Sequence, residues 1–153
     1  MTIGISTALA TAAAGALAQA LAGGCIEIYS GAQPATPDAA VTGTLLARVE
    51  PGSMTWVEGT PATGLTLQAA GRYLLKPADK DWRLRGITAG TASWWRFRGS
   101  TADMGLANNT LPRIDGAVGL AGDVAASLYL ESTAITTDTD TAITYWWFAF
   151  PPI

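Results

Sequence analysis

The stretch TALATAAAGALAQALAGGCIEIYS, residues 7–30, changes period at its middle, and that change decides the fold. In its first half Leu9, Ala13, Leu17 and Leu21 recur every four residues and share one stripe of a helix. Ser6 or Thr7 supplies a side-chain oxygen for an N-terminal cap. Gly23-Gly24 ends the helix, because glycine takes the left-handed backbone at little steric cost. In the second half Ile26 and Ile28 alternate with Glu27, the two-residue period of a half-buried strand. A helix this rich in alanine buries little area by itself, so it is expected to dock on its own sheet or on a neighbouring subunit.

Working outward, short extended runs alternate with turn residues. Residues 31–43 form a loop through Pro34, Thr36, Pro37 and Asp38, and TLLARV at 44–49 resumes as a strand until Pro51-Gly52. Residues 54–57, 65–67 and 72–75 are expected strands, and 77–81 a turn. In WRLRGI at 82–87, Leu84 opposes Arg83 and Arg85. In ASWWRFR at 92–98, Trp95 and Phe97 share one face while Trp94, Arg96 and Arg98 share the other. Asn108-Asn109 and Asp115-Gly116 read as turns. Residues 127–130 and 143–150 read as strands, the latter stopped by Pro151-Pro152. Many short strands with Gly, Pro and Thr turns predict an all-β antiparallel sandwich or jelly-roll-like domain, residues 25–153, preceded by a short Ala-rich helical segment, residues 1–24.

Composition narrows the function. The 153 residues are 49% hydrophobic and 14% charged, where soluble domains average about 25% charged. So sparse a charged surface predicts an exterior partly covered by neighbours. Nine basic residues, a net charge of −3 and a pI near 4.7 argue against a nucleic-acid partner. Ala20-Leu21-Ala22 has the small-residue form of a signal-peptidase site, but no Lys or Arg precedes it, and no stretch is apolar enough to span a bilayer. No membrane partner is expected.

The reactive inventory is short. There is no histidine, and the single cysteine, Cys25, opens a strand, where burial as a small hydrophobe is the default. That excludes an intramolecular disulfide, the common serine and cysteine triads and the usual Cys/His metal sites. The carboxylates Glu27, Glu50, Glu58, Asp115, Asp123 and Glu131 are candidates for paired acid–base work, but each is expected to be a solvated surface charge. Asp138 and Asp140 in TTDTDT, residues 136–141, lack the Gly and terminal Glu of a calcium loop. No phosphate-binding glycine motif occurs. The expectation is a chain with no catalytic residues, no metal and no cofactor.

Six tryptophans remain. Alternation in Trp94-Trp95 and Trp146-Trp147 sends one ring of each pair inward and the other outward. The outward rings need a covering partner, and protein is favoured over a sugar. The candidate interface is Leu17 and Leu21 on the helix with Trp94, Arg96, Arg98, Trp146 and Trp147 on the strands.

Ile26-Glu27-Ile28-Tyr29-Ser30-Gly31-Ala32-Gln33-Pro34, then Asp38-Ala39-Ala40 and Gly43-Thr44-Leu45-Leu46, resemble a family of small tailed-bacteriophage virion structural proteins. Gly90-Thr91-Ala92-Ser93-Trp94-Trp95-Arg96-Phe97 is similar to a later strand of that family. Asp115-Gly116-Ala117-Val118-Gly119, Gly122-Asp123, the strand at 128–130 and Ile143-Thr144 are similar to its C-terminal half. The likeness runs from about residue 25 to 150 and rests on the order of short motifs. Residues 50–80 and 145–150 depart from the pattern. The resemblance implies a non-enzymatic protein of the virion, assembled in the host cytoplasm: a head decoration or minor capsid protein contacting major capsid subunits. Alternatives are a tail, neck or baseplate component, or a carbohydrate-binding adhesin using exposed tryptophans. Homo-oligomers are expected, because unpaired strand edges invite pairing between copies.

Overall fold

The structure is a computed structural model that describes residues 4–149. The expected stop at Pro151-Pro152 lies outside them. In chain order the elements are α1 (Thr7–Leu21), β1 (Cys25–Tyr29), β2 (Leu45–Pro51), a short 3-10 turn (Pro61–Thr63), β3 (Gln68–Ala70), β4 (Tyr73–Leu75), β5 (Trp82–Gly86), β6 (Gly90–Thr91), β7 (Trp94–Arg98), β8 (Arg113–Leu120), β9 (Leu128–Leu130), β10 (Ala134–Ile135), β11 (Asp140–Ala142) and β12 (Trp147–Ala149). The chain is all-β with one N-terminal helix.

The main sheet has seven strands in the order β11-β5-β2-β1-β7-β8-β9. Every pairing in it is antiparallel except β8 with β9, which run parallel. A second sheet has the order β12-β4-β3, and β10 pairs with β6. Ser6 caps α1, its Oγ accepting from the Leu9 amide at 3.2 Å, and Gly23 beyond the end adopts φ +77°. The helix packs against β3 and β4 of its own chain. Its buried stripe is Ala14, Leu17, Ala18 and Leu21, which keeps Leu17 and Leu21 of the expected line, whereas Leu9 is exposed.

One face of the main sheet is apolar. Cross-strand register sets Val49, Ile26 and Phe97 in one row and Ala47, Ile28 and Trp95 in the next. They share a core with Leu21 of α1, Leu74 of β4, Leu65 and Trp146. Trp146 lies at the centre, with ring centroids 5.9 Å from Trp82, 5.8 Å from Trp95 and 5.5 Å from Phe97. Such aromatic contacts add about 0.5–1.5 kcal/mol each beyond the area they bury.

Four expected elements differ, one of them residues 65–67, which precede β3 outside any strand, the Leu65 amide donating to Gly24 O instead. Asp115-Gly116 is the middle of β8, not a turn: a Cβ at residue 116 would stand 2.6 Å from Trp95 Cε2, so the glycine makes room for that ring. Residues 54–57 are not a strand, because the Trp56 amide donates to the Glu50 carboxylate at 2.7 Å instead of to a ladder. Among the described residues of the C-terminal run, only Trp147–Ala149 forms a strand.

Candidate functional site

The other face of the main sheet carries the charges. Strand register lines up Asp140, Arg85, Arg48, Glu27, Arg96 and Asp115 across six strands. Arg83, Arg98 and Arg113 flank that row, so six of the nine basic residues lie on this face. All six are paired: Arg48 with Glu27 at 3.0 Å, Arg83 with Asp140 at 2.8 Å, Arg85 with Glu50 at 3.4 Å, Arg96 with Asp115 at 2.7 Å, Arg113 with Asp103 at 2.5 Å, and Arg98 with Glu58 and Glu27. Every residue of β1 and β7 is buried, so the middle of this charged layer is an interior, while Arg83 and Asp140 at its β5–β11 edge stay partly in solvent.

Loops make it one. Arg96 Nη1 donates to the Ala39 carbonyl, and Arg113 donates to the carbonyls of Pro37 and Leu106. The Val41 amide donates to Gly105 O, and the Asn108 amide to Asp38 O. Segments 30–44 and 100–112 are thereby fastened to each other and to the sheet. Trp56 covers Glu27 and its arginines from a third segment, with the Arg48 and Arg98 guanidinium carbons 5.2 and 5.1 Å from its ring. Its Nε1 donates to Gly23 O at 2.9 Å.

This corrects the candidate interface. Trp94 is 1% exposed: it stacks on Tyr29 at 4.5 Å and carries the Arg96 guanidinium 5.5 Å from its ring. Arg96, Arg98, Leu21 and Trp146 are likewise buried within the chain, and Leu17 is half-buried against the core. None of them needs a partner chain to leave water. Trp147 is the one ring of that set at the surface. The carboxylates Glu27, Glu50 and Asp115, expected in solvent, are buried and accept from arginines instead, whereas Glu58 accepts from Arg98 and stays exposed as expected.

Titration follows from this burial. Desolvation, helped by the nearby Glu27 charge, pushes the Cys25 thiol far above its ordinary range. Desolvation also raises Tyr29, whose hydroxyl donates to Glu27 at 2.8 Å. Burial disfavours the Arg96 and Arg98 charges, but Asp115 for one and Glu27 with Glu58 for the other hold both pKa values up. For Asp103, burial is outweighed by the Arg113 bonds and the Gly105 amide, and its pKa is lowered. These groups are locked into the fold. Among the described residues no three His, Cys, Asp or Glu side chains gather to hold a metal ion. No described helix is long and apolar enough to cross a membrane.

Two surface features bear on docking. The first is the tip of the 100–112 loop, where Met104 is 86% and Leu106 64% exposed although Asp103 and Gly105 beside them are held by the bonds above. The second is an aromatic flank. Tyr73, Leu75, Tyr145 and Trp147 line a cavity of about 350 Å³. Tyr145 continues into a second cavity of about 240 Å³ with Tyr129, Glu131, Thr141 and Thr144. Strand alternation places Trp147 there, opposite Trp146. The tyrosines were not among the sequence candidates, although Tyr129 between the buried Leu128 and Leu130 shows the same alternation.

No protein-family profile, no curated protein and no solved structure matches this chain.

Proposed function

We propose that this protein is a non-enzymatic structural component of a tailed-bacteriophage virion, a head decoration or minor capsid protein that seats on major capsid subunits. The observation that carries the docking role is the pinned loop tip. A methionine and a leucine held in water on an ordered loop lose no further loop entropy on binding and gain apolar burial, the economy of a preformed contact. The closed arginine–carboxylate layer supports a rigid block instead of a reactive centre. The order of motifs from Ile26 to Thr144 supports the particle. With this reading goes the finer architecture, a jelly-roll-like sandwich with the seven-stranded sheet as one layer and α1 with β12-β4-β3 as the other. Pairing between copies at the open strand edges makes homo-oligomers part of the same reading.

The test is quantitative mass spectrometry of purified, salt-washed virions. A copy number on the scale of the capsid lattice is expected; a handful of copies places the chain at a neck, baseplate or tail tip. Met104→Asp combined with Leu106→Asp should lower incorporation by about tenfold or more without moving the unfolding midpoint. Absence of the unaltered chain from washed particles overturns the proposal.

A further inference from the structure

Among the described residues, every exposed aromatic ring lies on the aromatic flank: Tyr73, Tyr129, Tyr145 and Trp147. The fold buries seven others, Tyr29, Trp56, Trp82, Trp94, Trp95, Phe97 and Trp146. Rings left outside are therefore gathered in one place, with Tyr145 shared by the two cavities. We propose that this flank is a binding groove for a neutral saccharide chain, hexose rings stacking on Trp147, Tyr73 and Tyr145 while their hydroxyls bond Glu131, Thr141 and Thr144.

The polar lining selects the ligand. Among the described residues the Glu131 carboxylate, the Thr141 and Thr144 hydroxyls and the phenols of Tyr73, Tyr129 and Tyr145 have no hydrogen-bond partner. A carboxylate only accepts, so Glu131 calls for hydroxyl or N–H donors. An apolar protein surface laid here would bury these groups unsatisfied, at about 1–3 kcal/mol each and more for the charge. Among the described residues no Lys or Arg lines either cavity, so an acidic sugar or a phosphate would meet Glu131 with no counter-charge. A cation cage needs rings and carboxylate around one point, whereas Glu131 lines the second cavity and the Tyr73–Trp147 pair, edge-on at 5.9 Å, lines the first. Rings spread along two adjoining cavities, with polar groups at one end, suit a chain of amphipathic rings.

The purified full chain is applied to a glycan array holding neutral, sialylated and uronic chains, with hexalysine as a cationic control, and hits are measured by calorimetry. Binding confined to neutral glycans is expected. Trp147→Ala and Tyr145→Ala should each weaken it about tenfold or more, and Glu131→Gln several-fold. Unchanged melting temperatures separate these losses from unfolding, and the more exposed Tyr145 serves if Trp147→Ala does not fold. No neutral glycan binding, preference for acidic chains or hexalysine, or affinity that survives both aromatic changes overturns the assignment. So does self-association of the chain that both changes abolish, since a second copy would then fill the groove. The groove does not rest on the virion proposal: a chain that binds neutral glycans but is missing from particles sinks that reading alone.

Discussion

Arg96 and Asp115 face each other across β7 and β8 as a two-pronged ion pair, Nε to Oδ1 and Nη2 to Oδ2 at 2.7 Å each, with both side chains 1% exposed. The Ala39 carbonyl takes a third guanidinium proton, so the pair also holds the 30–44 loop down. Two charges removed this far from water are stable only together. Asp115→Ala should therefore cost about 3–5 kcal/mol in urea unfolding, chiefly by stranding the arginine. Arg96→Met combined with Asp115→Leu should recover much of that loss. A double variant no better than the single would mean that the pair itself, and not the stranded charge, carries the stability.

Asp103 sets an acid limit. Its folded pKa lies below the ordinary 3.8, so on acidification the unfolded chain takes up its proton first. The stability it contributes is full above the ordinary carboxylate range and falls as pH drops through the folded pKa. Urea midpoints measured downward from pH 7 should hold until about pH 5 and then decline. Asp103→Asn should be less stable at pH 7, because Arg113 loses its charge partner, and should show a shallower acid decline. An equally steep decline in the variant would assign the acid limit to other carboxylates.

Cys25 should be silent in the folded protein. The thiolate is the reactive form, and burial with Glu27 nearby holds the thiol protonated well above pH 9. Ellman's reagent at pH 8 should find no thiol in the native protein and one per chain in denaturant. Rapid native labelling would contradict the burial of β1.

Two glycines should respond in opposite directions. Gly116→Ala drives a methyl against the Trp95 ring and Ser127 Oγ, and should cost about 1–3 kcal/mol. Gly15 lies within α1, and beyond the adjoining helix backbone no atom comes within 4 Å of a Cβ placed there. Gly15→Ala should stabilise by about 0.5–1 kcal/mol, read as a higher melting temperature.

Trp94→Ala tests which interior the ring serves. Loss of the Tyr29 stack and of the surface under Arg96 should destabilise the monomer by about 3–5 kcal/mol. A variant with unchanged stability would return Trp94 to the role of a surface contact.

Much of the local structure was legible. The helix with its Ser6 cap and Gly23 terminus, and the alternation that separates Ile26 and Ile28 from Glu27 and Trp95 and Phe97 from Trp94, Arg96 and Arg98, all appear as read. Asp115-Gly116 misled because the pair favours turns by intrinsic preference, whereas the Trp95 ring required a glycine inside a strand. Tyr73, Tyr129 and Tyr145 were not legible as a group, because β4 and β9 are only three residues long, Tyr145 precedes β12 outside any strand, and the three meet from segments distant in sequence.

By itself the sequence determined the periods, and with them which side chains share a face, because side-chain direction is set locally by backbone geometry. Whether a face meets water or protein was decided only in three dimensions. Segments 30–44, 50–60 and 100–112 fold over the charged side of the sheet, and six arginines find carboxylates brought from as far as 71 positions away. Pairing at that distance leaves no trace in local spacing. The same alternation therefore put Trp94 in an interior and Trp147 at the surface.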